Sequence, residues 1–374
     1  MNRRMTVSGP RGRVRSIAGV ALGAVLGVWA HASALAADVP VLLNEIMANN
    51  RSFTNNAGVA PDWVELFNPS SAPFDLADMS LSDSVAAPTR WVFPAGTLIP
   101  AGGYLTLECD GANPPSTTNT GFGLKSEGDA LYLFEAPARG GRQVDSVVFG
   151  LQVADLTIGR VGASRLWTLT TPTPRASNRA LALGDPALVR INEWMAKPAS
   201  GSDWFEVYNP QNQPVALGGL SFSDVLMNPF ESPVRALSFL GTGSDAYQVF
   251  LADRVMTAGA NHVNLKLSAG GDSILLFTST ATAIDAVIFG PQTQGFSEGR
   301  LPDGSTNIVR FAATPSPGKR NHLPVMNVVV NEVVTHTDPP LEDAIEPGRF
   351  ALLPVEIWCD RPAAHLRPVP RTLE

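Results

Sequence analysis

Asp62-Trp63-Val64-Glu65-Leu66-Phe67-Asn68-Pro69 returns further along the chain as Asp203-Trp204-Phe205-Glu206-Val207-Tyr208-Asn209-Pro210. A third copy opens at Asp343-Ala344-Ile345-Glu346 and then breaks off. Each copy follows a short apolar segment that holds Asn-Glu: Leu43-Asn44-Glu45-Ile46, Ile191-Asn192-Glu193-Trp194 and Val330-Asn331-Glu332-Val333. Glu65 and Glu206 lie 141 positions apart, and Glu206 and Glu346 lie 140 apart. A near-constant period of domain size means that the chain is built from units of one kind, each long enough to bury its own core.

The first unit, residues 39–178, reads as short strands separated by turn signals. Val41–Met47 and Asp62–Phe67 are strands, the second closed by Asn68-Pro69, where proline removes a ladder donor. Tyr104–Cys109 alternates as a half-buried strand should, and Gly128-Asp129 and Gln143–Phe149 continue the series. The second unit, 186–321, repeats the plan. Ser82-Asp83 matches Ser223-Asp224, and Asp145-Ser146-Val147-Val148-Phe149-Gly150 matches Asp285-Ala286-Val287-Ile288-Phe289-Gly290. Gly159-Arg160 matches Gly299-Arg300, and Thr171-Pro172-Thr173-Pro174 with Asn178 matches Thr314-Pro315-Ser316-Pro317 with Asn321. No segment sustains a 3.6-residue apolar period, so helix is a minor component. With 33 Gly and 31 Pro, the pattern is that of an all-β chain: two tandem antiparallel β-sandwiches and an incomplete third repeat.

The order of these motifs, with Phe93-Pro94-Ala95-Gly96, Pro100-Ala101-Gly102-Gly103-Tyr104-Leu105 and Gly128-Asp129-Ala130-Leu131-Tyr132-Leu133 between them, resembles the lamin tail domain of bacterial exported proteins. The resemblance implies an immunoglobulin-like sandwich for each unit. It runs through 39–178 and 188–321 and in part through 328–346. The second unit lacks the Phe-Pro-Ala-Gly and Pro-Ala-Gly-Gly pieces, so Ser238–Tyr247 must rebuild that turn differently.

The third repeat, 328–346, fails abruptly. Pro347 stands where an aromatic and Asn-Pro are expected, and residues 347–374 hold five Pro and four Arg without strand alternation. A proline there argues against a central strand. Two readings stand: a reading frame lost at or near residue 346, or a divergent terminal tail. The opened repeat is expected to be poorly packed or to add to the second sandwich as an edge strand.

The repeated polar positions are Asn44, Glu45, Asp62, Glu65, Asp83 and Arg160 in the first unit, and Asn192, Glu193, Asp203, Glu206, Asp224 and Arg300 in the second. In an extended strand, residues two apart share a face. Glu65 then lies with Trp63 and Phe67, and Glu45 with Leu43 and Met47. A carboxylate on an apolar face is costly unless paired. Two readings compete: an acid–base or calcium-binding cluster, or structural carboxylates that pair with Arg160 and Arg300 or cap neighbouring amides. The second is favoured, because strand centres rarely supply sites. No Asp/Asn run with a closing Glu forms a calcium loop, and there is no Gly-x-Ser-x-Gly elbow, His-Glu-x-x-His or paired-cysteine zinc spacing. The expectation is no catalytic residue, no cofactor and no metal. Trp63 and Trp204 are expected in the cores, with Trp91 and Trp194 the better candidates for an exposed platform. Cys109 is expected to be a buried, inert thiol.

Residues 1–36 read as a secretory signal: five Arg up to Arg15, an apolar run Ile17–Trp29 and Ala34-Leu35-Ala36 as a small-residue cleavage site. The apolar run is short for a membrane span, so a cleaved signal that leaves no stable span is favoured over the alternative of an uncleaved anchor. Removal takes five Arg and no acid, moving the formal charge from −7 to −12. No basic stripe follows, which argues against nucleic acid as a partner. Cys109 and Cys359 sit in unlike contexts, so no disulfide framework is expected. The reading is therefore a secreted, periplasmic or cell-surface interaction or scaffold protein without catalysis, whose partner is an unspecified protein or surface polymer. The alternative is the non-catalytic N-terminal part of a larger exported hydrolase or spore-coat-kinase-like protein. Resequencing across codon 346 and translating the other forward frames checks the lost-frame reading. An aromatic followed by Asn-Pro is expected to resume there, and an unbroken confirmed frame would refute it.

Overall fold

The computed structural model describes residues 39–324, 328–334 and 344–349. Residues 1–36, read above as a secretory signal, Cys359 and the tail beyond 349 lie outside these residues. Among the described residues the chain is almost wholly β, with three single-turn 3₁₀ segments, Pro137–Arg139, Pro186–Leu188 and Gly243–Asp245. No helix among them is long and apolar enough to cross a membrane.

The first sandwich faces a six-stranded sheet against a four-stranded one. In the larger sheet Leu42–Met47 lies between Asp62–Phe67 and Thr157–Val161, with Tyr104–Cys109 beyond the former and Leu166–Thr171 and Arg179–Ala180 beyond the latter. The smaller sheet orders Trp91–Val92, Ser80–Ser82, Asp129–Phe134 and Gln143–Phe149. The second sandwich repeats both sheets, with Arg190–Met195 and Trp204–Tyr208 at the centre of the larger. Its one departure from antiparallel pairing is Leu251 and Ala252 against His262 and Val263. Each sandwich has its own core: Leu43, Ile46, Val64, Leu66, Leu81 and Phe149 in the first, and Ile191, Trp194, Phe205, Val207, Phe222 and Phe289 in the second.

A β-bulge at the Asn of each Asn-Glu segment sets the register. Pairing shifts between Leu43 and Glu45, between Ile191 and Glu193, and between Val330 and Glu332. An extra residue on one strand breaks the period of two. Leu43 and Ile46 therefore both enter the core, and Glu45 does not share a face with Leu43 as simple alternation predicts. Trp63 and Trp204 are buried but lie with Glu65 and Glu206 on the outer face, since Val64, Leu66, Phe205 and Val207 are the core residues of those strands. Trp91 and Trp194 are core residues, not an exposed platform. The platform expectation for Trp91 and Trp194 is thus reversed, while Trp63 and Trp204 are buried as expected but outside the two core clusters. The thiol of Cys109 is free and packs in the first core, where burial pushes it up to about 12.

The opened third repeat forms a two-stranded sheet of its own, Val328–Val334 against Ala344–Arg349, and does not extend the second sandwich. Its strand runs through Pro347, opposite Val330. A ribbon of two strands has a free edge on each side, where the missing donor is tolerated.

The two sandwiches are docked. Gly150 N–H donates to Leu237 O (3.3 Å), Phe239 N–H to Leu151 O (2.9 Å) and Ala260 N–H to Glu127 O (2.6 Å). Leu151 packs in the second core and Phe239 in the first. A Cβ on Gly150 would stand 1.9 Å from Ser238 Oγ, whereas one on Gly290, its counterpart, would meet nothing within 4 Å. Gly150→Val is expected to cost about 1–3 kcal/mol through overpacking, and Gly290→Val to be near neutral, as read from urea unfolding of the two variants.

Candidate functional site

The bulge brings two glutamates side by side. Glu45 stands opposite Glu65, Glu193 opposite Glu206 and Glu332 opposite Glu346 in the strand register. Like charges directly opposed on neighbouring strands destabilise a sheet, and the four glutamates of the two sandwiches are fully buried. Each carboxylate is therefore held by its own donors. Asn44 at the bulge donates through Nδ2 to Glu65 Oε1 (3.0 Å), and Asn192 likewise to Glu206 Oε1 (3.1 Å). Thr157 Oγ1 donates to Glu45 (2.6 Å), and Ser297 Oγ to Glu193.

The remaining donors come from the last segment of each unit. In Thr171-Pro172-Thr173-Pro174-Arg175 the two prolines carry no N–H, so the amides left are those of alternate residues. Thr173 N–H donates to Glu45 Oε1 (3.0 Å) and Arg175 N–H to Glu65 Oε2 (2.5 Å). Ser316 N–H serves Glu193 (3.1 Å) and Gly318 N–H serves Glu206 (2.5 Å) in the second unit. Asn178 Nδ2 then donates to the bulge carbonyl of Asn44 (2.8 Å) and to Arg160 O (3.0 Å), and Asn321 does the same to Asn192 O (3.2 Å) and Arg300 O (2.9 Å). A Cβ at Gly159 would meet the Asn178 amide at 2.6 Å and one at Gly299 the Asn321 amide at 2.9 Å, which is why glycine precedes each repeated arginine.

Arg160 and Arg300 do not pair with the glutamates, contrary to one of the sequence-based alternatives. Arg160 Nη2 binds both oxygens of Asp145 (2.8 and 3.0 Å), and Arg300 Nη2 binds both of Asp285 (3.0 and 3.1 Å). The same pairs close the gap that the bulge opens. Leu43 N–H donates to Asp145 Oδ2 (2.9 Å) while Leu43 O accepts from Arg160 Nε (2.8 Å). Ile191 has the same two partners in Asp285 (2.8 Å) and Arg300 (2.7 Å). Asp145 and Asp285 were not singled out as site positions, although each precedes its arginine by 15 residues and opens the same repeated strand.

Burial pushes Glu45 up to about 7 and Glu206 up to about 8, against the donors that favour their ionised forms. It raises Glu65, Glu193 and Asp145 as well, the last in spite of the Arg160 guanidinium. A carboxyl that holds its proton near neutrality could serve as an acid or base. These four are enclosed and spend their oxygens on the unit's own donors, so the arrangement they make is a clasp.

The two clasps differ in detail: Thr106 Oγ1 donates to Glu65 Oε2 (3.2 Å), whereas Val249 stands opposite Glu206. In the second, Asp303 Oδ1 accepts from Asn192 Nδ2 (3.0 Å) and Asn321 N–H (3.0 Å), and Asp303 Oδ2 from the Tyr247 hydroxyl (3.0 Å). The first has no acid there, and Asn44, Tyr104, Arg160, Arg165, Ser177 and Asn178 line a pocket of about 170 Å³. The other repeated acids lie apart from the clasps. Asp62 accepts from Asn50 N–H (3.0 Å) and burial pushes it up to about 6. Asp203 meets Lys266 (3.1 Å) and Asp83 meets Arg90. Asp224 has Glu231 in place of that arginine; its carboxyl is raised by burial and then by Glu231 and Asp272. Among the described residues no group of three or more His, Cys, Asp or Glu side chains is arranged to hold a metal ion.

Residues 35–150 match the family model of the Lamin Tail Domain, a non-catalytic immunoglobulin-like family. The match ends at Gly150, before the arginine strand and the Pro-rich segment that complete the clasp. Comparison with curated proteins and with solved structures gave no match.

The raised carboxyls fix a pH dependence. Their folded values lie above the ordinary 4.5, so the folded state holds more protons over this interval. The stability they contribute is full below about pH 4.5 and is lost as pH rises through about 7 to 8. Tm is expected to fall between about pH 5 and about pH 8. Glu206→Gln should flatten that slope and cost about 1–3 kcal/mol, because an amide cannot accept at both positions. Thermal unfolding against pH for the two proteins reads both effects.

Proposed function

We propose that this chain is an exported interaction or scaffold protein without catalytic activity, built from lamin-tail-like sandwiches. One observation carries the reading: the repeated carboxylates, the positions where chemistry would be sought, are engaged in fastening each unit's own last segment. What each unit offers to a partner is then its loops. The loop after Ser223 supports this, since Leu226 is 65% exposed and Met227 88% exposed and neither belongs to a core. Exposed contiguous apolar side chains mark contact surfaces more often than chemistry. Export rests on the arginine-rich start, the apolar run and the small-residue cleavage signal. The partner proposed is a protein or surface polymer outside the cytoplasm.

A second reading draws on the third hairpin, whose register repeats the Asn-Glu bulge of the two sandwiches. It makes the tandem the non-catalytic front of a larger exported hydrolase or spore-coat-kinase-like protein.

Expressed in a bacterial host, the protein is expected outside the cytoplasm with a mass that begins near Ala37. The full-length mass confined to the cytoplasm would overturn export. The purified chain is expected to be inert toward ester, glycoside and phosphoester substrates. Hydrolysis that Glu65→Gln and Glu206→Gln remove from a still folded protein would overturn the non-catalytic reading.

A further inference from the structure

Part of the contact between the two sandwiches is made by two short segments, and the chain carries a second, exposed copy of each. On the first sandwich the segment is Gly150-Leu151-Gln152. On the second it is Ala236-Leu237-Ser238-Phe239. Besides the main-chain bonds already described, Gln152 Nε2 donates to Leu237 O (2.8 Å) and Leu151 N–H to Ser238 Oγ (3.1 Å).

The second sandwich has its own version of the first segment in Gly290-Pro291-Gln292. Its placement is the same: Gln292 N–H donates to Ala269 O (2.9 Å) as Gln152 N–H does to Ser126 O (2.9 Å). The first sandwich has its own version of the second segment in Ala95-Gly96-Thr97-Leu98. There Leu76 N–H donates to Thr97 O (2.8 Å) as Leu217 N–H does to Ser238 O (2.8 Å). Both unused copies are open. Gly290 and Pro291 are exposed. Leu98 is 57% exposed where Phe239 is 5%. Gln292 is buried and anchored by Ala196 N–H on Oε1 (2.6 Å), and its Nε2 has no hydrogen-bond partner.

The two open segments complement each other as the two closed ones do. Gly96, the counterpart of Leu237, presents its carbonyl to Gly290 N–H of the next copy as Leu237 does to Gly150 N–H. Leu98 takes the place of Phe239. The Leu151–Ser238 bond has no counterpart, because Pro291 has no N–H to give.

We propose that copies of this chain associate head to tail, the Gly290–Gln292 face of one seating on the 95–98 segment of the next and reproducing the contact between the two sandwiches. Such a contact joins unlike surfaces, so it builds open rows, or rings where the rotation closes, and not isologous dimers. The proposal deepens the scaffold reading by naming the partner as a second copy, and it rests on that reading.

Sedimentation velocity of the full chain over rising concentration tests it. Association is expected to grow with concentration. Leu98→Glu and Gly290→Val, both at open positions, should each weaken it at least about tenfold with unfolding midpoints unchanged; Leu98→Ser should act in the same direction if the glutamate perturbs the fold. Mixed together, Leu98→Glu and Gly290→Val chains should form pairs and nothing longer, because each keeps the face that the other has lost. A wild-type chain that stays monomeric at millimolar concentration overturns the proposal, as does association that these variants leave intact. Neither result touches export or the absence of catalysis, which are measured separately.

Discussion

Two buried glutamates facing each other across neighbouring strands are the condition around which each sandwich is built. Alone they would repel and lose their hydration at great cost. The sequence meets that cost locally, with asparagine at the bulge and a threonine or serine on the next strand, and then from the far end of the unit, with amides left between prolines. The bulge that brings the glutamates together also strips a core residue of its ladder partners, and an aspartate–arginine pair replaces them. That pair ties the strand Gln143–Phe149 of the smaller sheet to the larger one. Buried ion pairs contribute little net stability but penalise alternatives in which one partner is left alone. Here they fix which residue of the strand is bulged.

Duplication makes each sandwich a control for the other. What both keep is the bulge, the glutamate pair, the aspartate–arginine pair, the glycine beneath the asparagine and the stacked aromatic pair at the sheet edge, Phe67 with Tyr104 and Tyr208 with Tyr247 at 4.8 and 4.9 Å. What differs lies around these shared parts. Asp303 fills a space that is a pocket in the first copy, and Glu231 replaces Arg90. The contact between the sandwiches is asymmetric by necessity, since each unit presents one surface forward and another back.

Much of this was legible in the residues. The all-β class followed from the repeated motifs, and the cost of burying a carboxylate pointed to a structural role for the glutamates. The face assignments of Leu43 and Ile191 were not, because a bulge leaves no mark in an apolar–polar pattern. The recurrence of Trp63 and Trp204 pointed to burial, which the fold keeps, but their strands put Val64 and Phe205 inward and leave the indoles on the outer face. The partner of Arg160 was missed for a different reason: pairing across 15 residues joins two sheets, and spacing within one sheet does not reveal it. Asp145 and Asp285 were visible as repeated letters without a role.

The proline-spaced segment has a consequence for the order of events during synthesis. Glu45 waits for Thr173, 128 residues later, and Glu65 waits for Arg175, 110 residues later. Contacts so distant in sequence form late and slow folding. As each unit leaves the ribosome, its central strands can pair, but the two carboxylates stay uncovered until the final dozen residues arrive. Closure of a unit thus reports that the unit has been made in full.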